Sequence, residues 1–222
     1  MTDGTASAGT RPAGAARDGA LPDGVLERAR ALVELPGRTL LGVVGAPGVG
    51  KSTLTARLVA ELGEDAVVVP MDGFHLAQAT LERLGRADRK GAPDTFDSAG
   101  FVALLGRLRE ANETVWVPEY RRDLRHGVTG AIEVPVSTPL VVVEGNYLLS
   151  DEAGFGPVRA LLDETWFCEL DDAVRIDRLV ARHVATGKDP DFAREWVLGS
   201  DEANARLVAK TRGRADRVVS TI

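Results

Sequence analysis

The sequence predicts an α/β fold in which a mainly parallel sheet lies between two layers of helices. Three observations predict it. Apolar, strand-like runs alternate with amphipathic, helix-like runs along most of the chain. The strand-like runs are continuously apolar, as is typical of strands buried on both faces of a parallel sheet. A glycine-rich loop, GAPGVGKST at residues 45–53, joins the first such strand to a helix.

The composition fits one domain. The chain has 222 residues, is 44% hydrophobic, and carries a formal net charge of −6 with a pI near 5.2. This acidic balance argues against nucleic acid as a partner. No apolar run is long enough to span a membrane, and we expect a cytoplasmic protein. Residues 1–20 contain no large apolar side chain beyond Met1, so we predict a disordered tail followed by a single domain over residues 21–222.

Each element follows from its pattern, in chain order. Apolar residues at helical spacing predict a helix over 25–33, with Asp23 as its N-cap, and further helices over 51–62, 76–84, 98–111, 156–164, 173–187 and 191–211. Asp97 or Ser98 is expected to cap the fourth of these helices. Apolar runs predict strands over 38–45, 66–70, 114–118, 139–145, 165–170 and 216–222, and a short strand over 131–135. Cys168 is expected to be a small apolar residue in a buried strand.

The loop at 45–53 matches the complete phosphate-binding pattern of P-loop NTPases, with Gly45, Gly50, Lys51 and Ser52 at the required positions. Glycines let backbone N–H groups converge on phosphate oxygens, and the following helix adds the positive end of its dipole. We therefore predict ATP or GTP binding, and ATP and Mg²⁺ as cofactors. The predicted nucleotide-binding residues are Gly45, Ala46, Pro47, Gly48, Val49, Gly50, Lys51, Ser52 and Thr53.

Several P-loop classes lack support. The chain contains no N-K-x-D guanine signature and no transporter signature of the L-S-G-G-Q type. Hydrolytic machines commonly end the Walker B strand in two acids, whereas Glu144 here is followed by Gly145 and Asn146. The sequence thus favours transfer of a phosphoryl group to a second substrate.

Asp72 follows the strand at 66–70, so it is placed to accept a proton from an acceptor hydroxyl. From spacing alone, an Asp-Gly turn without a catalytic role is an equal alternative.

Six segments together resemble the phosphoribulokinase / uridine kinase / type I pantothenate kinase family, and most of all its nucleoside/nucleotide kinase branch. They are GAPGVGKST, MDGFHL, RKGAPDTFD, VPEYRRDL, VVVEGNYLL and RIDRLVARH. The resemblance spans residues 40–222 and implies an ATP-dependent kinase that phosphorylates an alcohol group of a small metabolite. It implies Asp72 as catalytic base and Lys51 on the phosphates. It also implies Ser52 and Glu144 at the metal.

The resemblance implies that the helix over 173–187 is the arginine-bearing lid of the family. It implies that Arg178 and Arg182 close over the transferring phosphoryl group, and it supports this role less for Arg175. A solvated, salt-bridged helix face is the alternative for all three arginines. Family members are often dimers or tetramers, which leaves a homo-oligomer open.

The acceptor is expected between residues 74–97 and 118–126. Candidate acceptor-binding residues are Phe74, His75, Arg89, Lys90, Phe96, Tyr120 and Arg121. A nucleoside-like acceptor is our first expectation, with pantothenate or a sugar as alternatives. Arginine after Tyr120, where several relatives carry Asp or Ser, suggests a negatively charged acceptor and weighs against uridine. Two alternatives from other classes are a non-catalytic nucleotide sensor and an NTPase that depends on a protein partner.

Overall fold

The computed structural model describes residues 21–221; the tail predicted over residues 1–20 lies outside them. The seven strands are β1 Thr39–Val44, β2 Ala66–Pro70, β3 Val115–Arg121, β4 His126–Val134, β5 Leu140–Gly145, β6 Glu164–Glu169 and β7 Arg217–Ser220. The eight α-helices are α1 Val25–Val33, α2 Lys51–Leu62, α3 Gln78–Arg83, α4 Ser98–Glu110, α5 Val158–Leu161, α6 Asp172–Ala185, α7 Pro190–Trp196 and α8 Glu202–Ala209. Among these helices, none combines the length and apolarity that crossing a bilayer requires.

Five strands form one parallel sheet in the order β2-β5-β1-β6-β7. Every residue of β1 is buried, as the continuous apolar pattern predicts. Apolar clusters cover both faces: α4 and the segment after β5 pack on one face, and α1 and α2 pack on the other. The predicted α/β sandwich is therefore confirmed. All five strands end at the same edge, where ligands of such sheets bind.

A separate antiparallel hairpin, β3–β4, lies outside the parallel sheet. The sequence predicted only its ends, as two unconnected short strands. The exposed half of β4, which includes Gly127 and Gly130, carries few apolar residues, so its alternation was too weak to read. This hairpin contacts the short 3₁₀ segment Met71–Phe74 that follows β2.

Three details of the helices differ from the prediction. Gly24, not Asp23, is the N-cap of α1, and it offers no side-chain bond. Helix α5 ends early because Asp163 turns to accept a hydrogen bond from the backbone N–H of Leu40, at 2.8 Å. The long helix expected over 191–211 is divided by a π-helical turn at Val197–Asp201. Asp97 or Ser98 was predicted to cap α4, and the cap is Asp97, whose side chain accepts a hydrogen bond from the Gly100 amide at 2.9 Å.

Candidate active site

The phosphate loop lies between β1 and α2, with its backbone shaped by glycine. Gly50 has φ of 97° and precedes α2 without any side-chain cap, so the first amides of that helix are open to a ligand. Gly48 has φ of 81°, and a Cβ there would lie 2.5 Å from Leu179 Cγ of α6. A side chain at Gly48 would therefore push α6 away from the loop. The sequence folds here into the anion cradle that its pattern predicts.

Lys51 is buried inside this loop. Its Nζ donates to the carbonyl oxygens of Gly45 and Ala46, at 2.9 and 3.1 Å, and to Asn146 Oδ1 at 2.7 Å. These three acceptors use all three ammonium protons. Burial lowers the pKa of Lys51, while the nearby carboxylates Glu144 and Asp72 act in the opposite direction. The ammonium group is thus held in position at the loop by neutral acceptors.

Ser52 and Glu144 form the pair of oxygen donors expected at a magnesium ion. Ser52 Oγ donates to Glu144 Oε2 at 3.0 Å. Burial raises the pKa of the Glu144 carboxyl, and the charge of Lys51 opposes that shift. Residues 21–221 hold no cluster of three or more His, Cys, Asp or Glu side chains able to bind a metal. A pair of oxygen ligands nevertheless fits Mg²⁺, which takes its remaining ligands from phosphates and water.

Asp72 lies in the 3₁₀ segment directly after β2, and its side chain is 42% exposed. Its charge acts on both Lys51 and Glu144, so the three groups lie near one another where the strands end, at the edge where ligands of such sheets bind in a cleft. His75 donates from Nδ1 to the backbone carbonyl of Asp72 at 2.8 Å, because a carbonyl can only accept. Burial lowers the pKa of His75. In the neutral ring, Nε2 is then the nitrogen free to accept a hydrogen bond.

A cavity of about 550 Å³ opens beside this cleft. His75 and Tyr120 line one part of it, with ring centroids 4.9 Å apart, and Phe192 and Trp196 line another. Its charged lining comprises the cations Lys90, Arg122, Arg125, Arg182 and Lys188 and the acids Glu82 and Asp201. The cavity is therefore aromatic and mainly cationic.

The three arginines predicted on one helix face have three different surroundings. Arg175 is buried and bonds Asp172, Glu202 and the carbonyl of Pro47, so it ties α6 to α8 and to the phosphate loop. Arg182 lines the cavity, and the charges of Asp72 and Glu144 act on it.

Arg178 borders a different, smaller cleft with Thr53 and Thr221. Its Nη1 lies 4.0 Å from where a Cβ of Gly50 would be. The two arginines to which the sequence analysis gave one role thus border two different cavities beside the phosphate loop.

Of the predicted acceptor residues, the structure brings His75, Lys90 and Tyr120 to the cavity. Phe96 is buried beneath them and stacks on His75, with centroids 4.0 Å apart. Phe74 packs edge-on against Phe101 of the core. Arg89 and Arg121 are exposed outside the cavity lining and pair with Asp94 and Asp123, at 2.7 and 3.0 Å.

Asn146 and Trp196 are among the cavity residues that the sequence did not indicate. Arg122 and Arg125 lie in the segment 118–126 expected at the acceptor but were not named as candidates. Asn146 carried a readable signal, since it is a polar residue just past the end of a buried strand. Arg122 carried no such signal. Val115 and Val117 are the buried residues of β3, and strict alternation from them would turn Arg121, not Arg122, inward.

The pairing of β3 with β4 shifts register between Val117 and Glu119, next to Pro118, which has no N–H to donate. Beyond the shift, the more buried positions are Pro118 and Tyr120 instead of the odd-numbered ones. Arg122, two residues after Tyr120, therefore lines the cavity, and Arg121 does not.

The fold agrees with the comparisons to known proteins. The model of the phosphoribulokinase / uridine kinase family matches residues 40–222. This chain belongs to that family. It is therefore a P-loop kinase, a phosphotransferase that uses a nucleotide and an alcohol acceptor on a small molecule. An ATP-dependent kinase-like protein of Aspergillus versicolor is 34% identical over 152 residues, which cover 64% of this chain and 88% of that protein.

Two further matches span most of the chain. An uncharacterised protein of Escherichia coli K12 is 32% identical over 187 residues, covering 82% of this chain and 77% of that protein. The crystal structure of a proposed fructose transport system kinase from Silicibacter sp. TM1040 is 38% identical with a TM-score of 0.79, covering 87% of this chain and 97% of the other. Phosphoribulokinase from Rhodobacter spheroides, at 13% identity and a TM-score of 0.57, shares the fold; the match covers 83% of this chain and 70% of the other.

Proposed function

We propose that this chain transfers the γ-phosphoryl group of ATP to a hydroxyl group of a small polar metabolite. Asp72 takes the proton of that hydroxyl as its oxygen attacks the γ-phosphorus, the bond from phosphorus to the β–γ bridging oxygen breaks, and ADP leaves. The observation that carries the proposal is that the charges of Asp72, Lys51 and Glu144 act on one another at the ends of the strands. These groups lie next to the cavity, because Asn146, which bonds Lys51, also lines it.

The nucleotide phosphates lie on the loop 45–53, where Lys51 exchanges its carbonyl and Asn146 partners for phosphate oxygens. Ser52 and Glu144 would hold Mg²⁺, which supplies neutralisation of phosphate charge when bound. Arg182 stabilises negative charge from the cavity side, since a guanidinium spreads its donors over several oxygens. Arg178 contacts the nucleotide from the smaller cleft that it borders beside Gly50.

A nucleoside-like acceptor is the first candidate. It is supported by the aromatic lining of the cavity, because the rings of His75, Tyr120, Phe192 and Trp196 offer faces on which a base can stack. Pantothenate and sugars are the alternatives, and the printed names of relatives include a pantothenate kinase of Coxiella burnetii.

The test is ADP release from Mg-ATP with a panel of uridine, cytidine, pantothenate, ribose, fructose and their charged derivatives. We expect at least one compound to raise ADP release well above the rate without acceptor, and mass spectrometry to detect its phosphorylated product. Asp72→Asn is the control and should abolish that increase. A flat panel with normal ATP binding would contradict the proposal in favour of a nucleotide sensor or a partner-dependent NTPase.

A further inference from the structure

Five cations from four separate segments meet in the cavity. Lys90 comes from the loop after α3, Arg122 and Arg125 from the β3–β4 turn, Arg182 from α6, and Lys188 from the connection between α6 and α7. Such a convergence is unusual in a chain whose net charge is −6. A cleft lined by one sign of charge focuses its field and concentrates ions of the opposite sign.

Among the described residues, the three arginines of the cavity are not held in ion pairs. Within residues 21–221, no ion pair or side-chain hydrogen bond engages Arg122, Arg125 or Arg182, and the side-chain bond of Lys90 goes to the neutral carbonyl of Arg125, at 3.1 Å. Lys188 instead lies over the rings of Phe192 and Trp196, 5.6 and 4.6 Å from their centroids.

The two acids of the cavity lining also have other partners. Asp201 bonds His183 at 2.9 Å, and Glu82 accepts from Gln78 at 3.2 Å. With five Lys or Arg side chains against these two acids, the cavity lining has an excess of positive charge.

The cations repel one another. Burial lowers the pKa of Lys90, and the neighbouring charge of Arg125 lowers it further. Burial lowers the pKa of Arg182 and the charge of Arg122 lowers it further, whereas Asp201, Asp72 and Glu144 act in the opposite direction. Holding like charges together costs free energy unless an anion binds among them. The arrangement therefore has the electrostatics of a binding site for an anion.

The turn between β3 and β4, which carries Arg122 and Arg125, is held at the cavity by Lys90. Arg125 has φ of 56°, a left-handed conformation more usual for Gly or Asn, and its carbonyl is held by Lys90. The register shift in β3 brings Arg122 to the same cavity. Two arginines and a lysine thereby line one cavity, where guanidinium and ammonium groups can donate to the oxygens of an anion.

We infer that the acceptor carries an anionic oxygen group, a carboxylate or a phosphate, and that Arg122, Arg125 and Lys90 bind it. This inference rests on the proposed function for the hydroxyl that is phosphorylated. In the proposed function, Lys51 and Arg182 bind the phosphates of the nucleotide. Arg122 and Arg125 have no role there and are available to bind the acceptor. The neutral nucleosides and sugars of the panel then lack the group that these residues recognise.

The first experiment measures binding of inorganic phosphate by calorimetry, with the β,γ-imido analogue of ATP and Mg²⁺ saturating so that the loop is filled. We expect phosphate to bind the wild type and the Arg122→Ala/Arg125→Ala variant to bind it at least about tenfold more weakly. Arg217→Ala is the control, since Arg217 begins β7 and so lies at the opposite edge of the sheet from the site. Equal binding to wild type and double variant, or no binding to either, would overturn the inference. Binding of the analogue, recorded first, tests the proposed nucleotide role independently.

The second experiment compares related acceptors of which only one member carries an anionic group: uridine with orotidine, pantothenol with pantothenate, glycerol with glycerate, and fructose with fructose 6-phosphate. We expect kcat/KM to be higher for the anionic member of whichever pair is phosphorylated, and Arg122→Ala/Arg125→Ala to remove the preference. The pairs with carboxylates and the pair with phosphate distinguish the two sources of charge. A neutral member used as well as its anionic partner would refute the anionic acceptor and leave the proposed kinase activity intact.

Discussion

Arg178 and Arg182 stand one helical turn apart on α6, yet Arg182 lines the cavity of about 550 Å³ and Arg178 borders a smaller cleft beside Gly50. We therefore expect the two alanine variants to differ. Arg182→Ala should lower kcat by about 10²-fold, because it removes a donor that faces the reacting groups. Arg178→Ala should mainly raise the KM for ATP, by about tenfold, as loss of a charge-assisted contact does. Steady-state kinetics of both variants decide; identical effects on kcat and KM would contradict the separation.

Asp72 is the residue on which the proposed chemistry depends most. Asp72→Asn keeps the shape of the side chain and removes its ability to take a proton, so kcat should fall by about 10²- to 10⁴-fold. Nucleotide affinity should change little, because the loop 45–53 is untouched. Turnover is measured with the acceptor identified from the panel, and ATP binding by calorimetry. Near-normal turnover would remove Asp72 from the role of base.

Lys51 holds the loop through three neutral acceptors before any phosphate binds. Lys51→Met keeps the aliphatic stem and deletes the charge, so we expect kcat/KM for ATP to fall by about 10²- to 10³-fold. Asn146→Ala removes only the amide partner and should cost less. A melting temperature near that of the wild type checks that Lys51→Met is folded. Full activity of that variant would mean that the ammonium group does not act on the phosphates.

Gly73 follows Asp72 and is buried against the hairpin. A Cβ at Gly73 would lie 2.2 Å from the carbonyl oxygen of Pro118. Gly73→Ser should therefore lower the free energy of unfolding by about 1–3 kcal/mol and displace Asp72. Gly106→Ser is the matched control, because a Cβ at Gly106 meets nothing within 4 Å. Denaturant unfolding of both variants tests this. Equal free energies of unfolding for Gly73→Ser and Gly106→Ser would show that the hairpin can move to accommodate the side chain at no measurable cost.

Cys168 is buried in β6 with 1% of its surface exposed, and burial raises the pKa of its thiol to about 12. At pH 8 the thiolate is therefore scarce as well as inaccessible. We expect iodoacetamide at pH 8 to leave the folded protein unmodified for hours and to alkylate one thiol per chain in urea, as counted by mass spectrometry. Rapid alkylation of the folded protein would indicate that the β6 region opens easily.

Much of the site was predictable because its signals are local. The residues of the phosphate loop are consecutive, and Asp72 and Glu144 each stand at the end of an apolar run. The orientation of the hairpin was not predictable in this way. It depends on the register shift beside Pro118, which arises from pairing with a strand whose own pattern is weak. Arg121 was therefore predicted at the acceptor site, whereas Arg122 lines the cavity.

The sequence alone determined the α/β class, the position of the phosphate loop and the polar ends of β2 and β5. Local apolar periodicity and contiguous glycines set these features, and tertiary contacts leave them unchanged. Only the tertiary structure decided which cations share the cavity and which cavity Arg178 and Arg182 each border. Lys90, Arg125 and Lys188 come from separate segments, and packing of those segments alone brings them together.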